Sequence, residues 1–303
     1  MTARSLPSIS VITPSFNQGI FLERTLASVA TQSYPPLEHL IFDGGSSDNT
    51  VALLQRTHPP IRWVSKPDDG QADAVNQGLA VARGEVIAWI NSDDLYAPEA
   101  FVRVARRFAD DPDLDVVYGD AEHIDVDDQP FEAYPTGLWD PRLLPHVCFL
   151  CQPAVFFRRR VVQRIGLLNP ELRYCMDYEY WLRLAAAGCR FAYLPETLAG
   201  SRLYSSNKTL ADRPAVHREI AEMLHSRFGS VPLRWVVAYA NHSAASRWDR
   251  QRQPWRYSGR FWRLLITHQW RWNRGPGLRS WIDWLRASRH QRRLAAVLAA
   301  ASP

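Results

Sequence analysis

The chain has 303 residues, 46% of them hydrophobic and 22% charged, the composition of a soluble globular protein with one large core or two smaller ones. No run approaches the ~18 consecutive apolar residues of a membrane span, and "MTARSLPSISVITP" is too polar for a signal peptide, so the expected compartment is the cytoplasm. The net charge of +5 is unevenly divided: from Val231 onward there are 14 Arg against Asp249 and Asp283, net +12, which leaves −7 for residues 1–230.

In chain order, "SISVITPSF" reads as a strand and "IFLERTLASVATQ" as a helix with Leu22, Leu26 and Val29 on one face. "LEHLIFDGG" is a second strand, followed by the helix "DNTVALLQRT", with Asp48 or Asn49 as N-cap. "IRWVSKPD" is a third strand and "ADAVNQGLAVARG" a helix with Gly84 just past its end. "EVIAWIN" is a fourth strand, apolar without strict alternation and therefore buried on both faces. It ends in two adjacent carboxylates, Asp93 and Asp94, which an extended backbone would point in opposite directions. Strands alternating with short helices predict the α/β class, a mostly parallel sheet flanked by helices. Further on, Cys148, Cys151, Cys175 and Cys189 read as reduced core thiols, since Cys148-x-x-Cys151 has no second pair to complete a zinc site.

In parallel sheets ligands bind beyond the carboxyl ends of the strands. Here those ends carry Thr13-Pro14-Ser15-Phe16-Asn17, then Asp43 to Asp48, then Pro67-Asp68-Asp69-Gly70-Gln71, then Asn91-Ser92-Asp93-Asp94. Such residues also favour turns and caps, but four loops of this kind on one edge gather carboxylates that repel one another unless a cation is present. Mg²⁺ or Mn²⁺, shared with substrate phosphates, suits oxygen ligands of this type. The chain has no G-x-x-x-x-G-K-[S/T], no G-x-G-x-x-G after the first strand and no G-x-S-x-G, which argues against a P-loop nucleotidase, a dinucleotide dehydrogenase and a serine hydrolase.

"VITPSFNQGIFLERTLASVATQSYP", "IFDGGSSDNT", "PDDGQADAVNQGLAVARGEVIAWINSDD" and "CMDYEYWLRLAAAG" together resemble the family 2 glycosyltransferases of the GT-A fold, in order and spacing over roughly residues 7–210. The resemblance implies a nucleotide-binding α/β half joined to a mixed-sheet acceptor half. It also implies inverting transfer, of the hexosyltransferase type, from a nucleoside diphosphate sugar to a sugar or lipid-linked acceptor. Pro14, Ser15 and Asn17 would line the nucleotide pocket, with Thr13, Gln71, Ser92 and Asp94 in the same loops. Asp43 would contact the base, with Asp68 beside it. Asn91-Ser92-Asp93 occupies the DxD position, with Asp93 as the metal ligand. Asp177 matches the general base, Gln152 a segment lining the acceptor side, and Arg202 an Arg near the diphosphate. Four departures stand out: Asn91 for the first Asp of DxD, Tyr204 for a frequent His, Met176 for the acid before Asp177, and Val75 for a frequent Arg.

Displacement at an anomeric carbon needs a deprotonated hydroxyl on one face and a stabilised leaving diphosphate on the other, which agrees with these roles. Asp177 also falls where a helix begins, so it is a candidate N-cap, and Glu179, two residues on, is the rival acceptor-side base. A binding protein without turnover, whose basic tail grips nucleic acid or an acidic partner, is the other class of function. The acidic core has no RNA-binding motif, so no nucleic acid is expected.

The chain divides by expectation into residues 1–215 and a basic, Trp-rich helical region over 216–303. That tail breaks at Gly275-Pro276-Gly277 into two helices, the second with Trp281, Trp284, Leu285 and Ser288 on one face and Arg286, Arg289 and Arg293 off it. Residues 231–303 then suit an anionic membrane surface, making the protein peripheral on the inner face of the membrane, with a lipid-linked acceptor. A helical pair docked on the acidic core is the alternative.

Overall fold

The structure, a computed structural model, describes residues 5–58 and 61–275. The first four strands are β1 (Ile9–Ser15), β2 (Glu38–Asp43), β3 (Ile61–Ser65) and β4 (Val86–Trp89), alternating with helices α1 (Gly19–Ala30), α2 (Thr50–Leu54) and α3 (Gln71–Val81). All pairings among these four strands are parallel. There follow β5 (Leu95–Tyr96), α4 (Ala100–Asp110), β6 (Val116–Ile124), β7 (Pro130–Ala133), β8 (Val155–Arg158), α5 (Arg159–Ile165), α6 (Met176–Ala186) and β9 (Phe191–Arg202). The sheet order is β3-β2-β1-β4-β8-β6-β9-β5, with β7 paired to β6. The half beyond β4 is mixed: β8 is antiparallel to β4 and β6, and β9 is parallel to β6.

Every residue of β1 and β4 is buried, as their unbroken apolar runs require in the centre of a covered sheet. Helix α4 closes one side by burying Phe101, Val104, Ala105 and Phe108 at helical spacing against Val86, Ala88 and Phe156. A smaller cluster joins Leu22 of α1, Ile41 of β2 and Leu54 of α2. Two glycines are dictated by geometry. Gly84 lies so close to β1 that a Cβ would stand 2.5 Å from Ser10 N. Gly70, at φ 107, turns the chain into α3 in a conformation L-residues avoid.

The sheet also holds a buried histidine. His39 Nε2 lies 2.9 Å from Thr13 Oγ1 across β1 and β2, and burial pushes its imidazole down to about 3. The unfolded chain therefore takes up a proton near pH 6.5 that the native state refuses, and stability falls as pH drops through the window from 6.5 to 3. We expect this group to contribute a slope of about 1.4 kcal/mol per pH unit there. Urea midpoints at pH 7 and pH 5 measure it, and His39→Gln should flatten the difference.

Contacts divide the chain into two compact units. One comprises the described residues up to Trp139 together with Phe149–Tyr204; the other is Asp140–Cys148 with the described residues from Ser205 on. The division thus falls earlier than the composition change suggests, because α7 (Lys208–Ala211) leads straight into α8 (Arg213–Phe228), whose N-terminus Asp212 caps through Ala215 N. Asp140–Cys148 joins the second unit, where Pro145 O accepts a hydrogen bond from Trp235 Nε1 at 3.0 Å. Helices α9 (Leu233–Ala245) and α10 (Pro254–Asn273) complete that unit. Asn273 closes it by bonding both Val231 N and Val231 O. The first expected tail helix is therefore α10; the face built from Trp281, Trp284, Leu285 and Ser288 lies outside the described residues. All four cysteines are free of disulfides. Among the described residues no helix is long and apolar enough to cross a membrane.

Candidate functional site

The loops after β1 and β2 are bound together. Asn17, held at φ 52, accepts a hydrogen bond on Oδ1 from Ser47 N at 2.8 Å and donates its own N–H to Ser46 Oγ. A non-glycine residue held there by two bonds marks a constrained loop. Asp43 anchors the arrangement from below: its oxygens accept from Ser46 N, Ser46 Oγ and Ser65 Oγ, and it is only 2% exposed. Asp68 sits over Gly44, close enough that a Cβ there would lie 3.0 Å from Asp68 Oδ2. Burial, then the charges of Asp73, Asp43 and Asp69, push the Asp68 carboxyl up. Asp48 spans two helix starts, accepting from Gly19 N and Thr50 N; the N-cap position of α2 itself is Asn49, which makes no side-chain cap.

Asn91-Ser92-Asp93-Asp94 is a turn, closed by Asp94 N donating to Asn91 O at 3.2 Å. The turn, not an extended backbone, separates the two carboxylates. Asp94 is buried and accepts from Arg202 N at 2.8 Å and from Asn91 Nδ2 at 3.1 Å, while Asn91 Oδ1 accepts from Gln71 Nε2 at 2.7 Å. Asp93 is half-buried and accepts on Oδ2 from Tyr204 OH at 3.0 Å, and Tyr204 OH in turn accepts from Gln18 Nε2. Burial, then the charge of Asp93, push Asp94 well above the usual carboxylate range, whereas Asp93 is raised by burial with Tyr204 and Arg202 pulling back. Burial and the Asp93 charge raise the Tyr204 hydroxyl, so it stays protonated and remains a donor to Asp93.

The turn is clamped from beneath. Thr25 Oγ1 lies within 2.9 Å of Ser92 O and 2.8 Å of Asp94 O. Arg202 Nε donates to Asp93 O at 2.7 Å, and its other nitrogens donate to Asp125 O and to Asp128 Oδ1. The Arg202 guanidinium has no exposed surface and lies 4.7 Å from the Phe21 ring centroid. Expected near a diphosphate, it instead sits inside the protein and braces the backbone that carries Asp93. Val75 is likewise a core residue.

The remaining candidates divide. Among the described residues, the buried Ser15 Oγ and Gln152 Oε1 have no hydrogen-bond partner, and Gln152 Nε2 donates to Trp89 O at 2.6 Å. Pro14 and Ser92 are buried, and Thr13 turns to His39 within the sheet. On α6 the N-cap is Cys175, so Asp177 is not the cap; it lies half-buried in the first turn and accepts from Tyr178 N at 2.7 Å. Glu179 is buried and holds Arg183 Nε through both oxygens at 2.9 and 3.0 Å. Thr25, Gln18 and Asp128 were not singled out from sequence, and no spacing signal marks them.

A Mg²⁺-type ion usually takes one or two carboxylates, with substrate phosphates and water completing its shell. A single half-buried carboxylate beside Asn91, oriented by Tyr204, fits that use. Among the described residues no three His, Cys, Asp or Glu side chains group to hold a metal unaided.

Comparison with known proteins agrees with this geometry. The family model described as glycosyl transferase family 2 matches residues 10–166. A glycosyltransferase of Mycobacterium tuberculosis whose activity is uncharacterised is 29% identical over 279 residues, covering 87% of this chain and 98% of that protein. The O-antigen biosynthesis protein RfbC of Myxococcus xanthus is 28% identical over 65% of this chain and 16% of its own length. Among solved structures, the mannosyltransferase PcManGT of Pyrobaculum calidifontis, in complex with GDP-Man and Mn²⁺, has a TM-score of 0.57 at 19% identity, covering 99% of this chain and 82% of that one. Staphylococcus aureus TarS 1-349, in complex with UDP-GlcNAc, also has a TM-score of 0.57, at 16% identity over 87% of this chain and 81% of that one. These structures share the expected GT-A architecture, a mostly parallel sheet flanked by helices. With the family model spanning more than half of its length and the strand-end loops assembled as described, the chain belongs to glycosyl transferase family 2.

Proposed function

We propose that the protein transfers a hexosyl group, with inversion, from a nucleoside diphosphate sugar to the hydroxyl of a sugar or lipid-linked acceptor, in the assembly of surface polysaccharide or glycolipid at the cytoplasmic face of a membrane. The observation that carries this reading is the pair of hydrogen-bonded relays ending on the Asn91–Asp94 turn, Gln71 to Asn91 to Asp94 and Gln18 to Tyr204 to Asp93. Burying adjacent carboxylates is costly unless each is paired or hydrogen-bonded, and here Tyr204 OH donates to Asp93 while Asn91 Nδ2 and Arg202 N donate to Asp94. The nucleotide sugars in the TarS and PcManGT complexes and the O-antigen role named for RfbC support the donor and product classes.

In this mechanism the loops carrying Pro14, Ser15, Asn17, Asp43, Asp68 and Gln71 hold the nucleotide. Asp93, on the turn it shares with Asn91, would hold a divalent cation, and Arg202 fixes the position of the turn rather than touching the leaving group. When bound, the cation neutralises charge developing on the diphosphate. Asp177 takes the proton of the attacking hydroxyl, and its place in the first turn of α6 favours the ionised form it must start from. Gln152 lines the acceptor side. The basic residues 231–303 meet an anionic membrane surface.

A thermal-shift screen of UDP-, GDP- and dTDP-sugars with and without Mn²⁺ tests the reading. A donor at 100 times its dissociation constant is expected to add about 2.7 kcal/mol of stability, and the donor that shifts the midpoint should release free nucleoside diphosphate when acceptor is supplied. A donor that binds without any release under these conditions would favour a binding protein without turnover.

A further inference from the structure

Helix α10 carries a face that sugar transfer does not use. Trp255, Trp262, Ile266 and Trp270 are 89%, 55%, 56% and 60% exposed. Intervals of seven, four and four residues align them on one side of the helix, in a row about 22 Å long at 1.5 Å per residue. The opposite side is already occupied. Tyr257, Leu265, Gln269 and Trp272 are buried there. Tyr257 OH donates to Asn241 of α9, Arg260 Nε donates to Ser243 O, and Trp272 O is bonded to the His225 ring of α8. The outer tryptophans are therefore not needed to hold the helix in place. Single exposed apolar residues are ordinary, but a continuous row of them marks an interaction surface.

Charge names the partner. Arg256, Arg263 and Arg271 are exposed, and each follows a tryptophan of the row by one residue. They form a basic rail along one edge of the row, and no Asp or Glu occurs between Asp249 and Asp283 to offset it. Indole rings beside guanidinium groups suit the headgroup boundary of a bilayer, where the ring is half in hydrocarbon and the charge meets lipid phosphate. Nucleic acid would require the aromatic rings to line a groove in which bases can stack, and this row stands on the convex outer side of a helix.

We propose that the outer face of α10 is the docking surface for an anionic bilayer, with Trp255, Trp262, Ile266 and Trp270 entering the headgroup region and Arg256, Arg263 and Arg271 binding lipid phosphates. This rests on the reading above that the C-terminal region meets a membrane, and it assigns the face and the lipid class.

The test uses the full chain in flotation assays with phosphatidylcholine vesicles, with and without phosphatidylglycerol, at low and high salt. The parent should float only with the anionic vesicles. Trp262→Gln/Ile266→Gln should weaken binding by about tenfold or more at both salt concentrations. Arg256→Gln/Arg263→Gln should weaken it by about fivefold for each charge at low salt and by much less at high salt. Circular dichroism and the donor-induced thermal shift should be unchanged in both variants, because these side chains are exposed. If the parent floats and both variants float equally well, the face is misassigned while membrane association stands. A parent that ignores anionic vesicles overturns both. Two further results also overturn the proposal: a parent dimer that the Trp262→Gln/Ile266→Gln variant makes monomeric with flotation unaltered, or binding of a single-stranded oligonucleotide through these residues without flotation.

Discussion

Asp93→Asn is expected to lower transfer by about 10³-fold while leaving the protein as stable as the parent or more so. On the proposed mechanism the loss follows from removing the carboxylate that would hold the cation, comparable to deleting a preorganised group at a developing charge. The gain in stability follows from burial. The Asp93 carboxyl is raised by desolvation, so its charged form is costly in the folded state, and Asn relieves that cost while still accepting from Tyr204 OH. Transfer rates and thermal midpoints measured side by side separate the two effects, and a chelator added to the parent should reproduce the rate loss. Turnover that survives both would sink the metal assignment. Asp94→Asn should act first on stability, because Asp94 accepts from Arg202 N and Asn91 Nδ2 and an amide must turn a donor toward one of them. Its effect on transfer is expected to be the smaller.

Asp177→Asn is expected to lower turnover by about 10²–10⁴-fold and to spare the donor-induced thermal shift, since on the proposed mechanism the residue acts on the acceptor hydroxyl. Glu179→Gln should instead cost about 1.5–3 kcal/mol of stability, because the amide keeps one acceptor for Arg183 Nε but replaces the other with a donor and removes the charge. Arg183 also donates to Ile165 O and Leu167 O, so Glu179 holds α6 to the end of α5. Single-turnover rates and urea midpoints for the two variants distinguish a proton acceptor from a brace. Full turnover in Asp177→Asn with loss in Glu179→Gln would transfer the base role to Glu179.

Much of the parallel half was readable in the linear chain. Buried central strands leave unbroken apolar runs such as "VIAW", and helices leave a 3.6-residue period, both local signals. The strand-end loops were readable for the same reason: once the strands and their directions are known, the carboxyl ends are known, and Asn17, Asp43, Asp68, Gln71 and Asp93 fall there. The mixed half was less legible, because nothing local says that β8 inserts between β4 and β6 or that β5 pairs with β9. Those pairings join segments far apart in sequence.

By itself the sequence determined the fold class, the family and the edge of the sheet on which the candidate site lies, because apolar periodicity and short motifs are encoded over spans of ten residues or so. The tertiary structure alone decided what each polar side chain does. Arg202 has the charge to bind a phosphate, but the backbone carbonyls of Asp93 and Asp125 and the Asp128 carboxylate surround it, so it becomes a brace. Asp94 repeats the chemistry of Asp93, yet Arg202 N, 108 positions away, takes its oxygen. Tyr204 is tied to Asp93 across 111 positions. The same holds for the tail, where composition reveals Arg and Trp in abundance and only the packing of α10 on α9 separates the buried Trp272 from the exposed Trp255, Trp262 and Trp270. A side chain's charge and size are written in the chain, but its role depends on which distant groups folding brings within hydrogen-bonding reach and on whether water can still reach it.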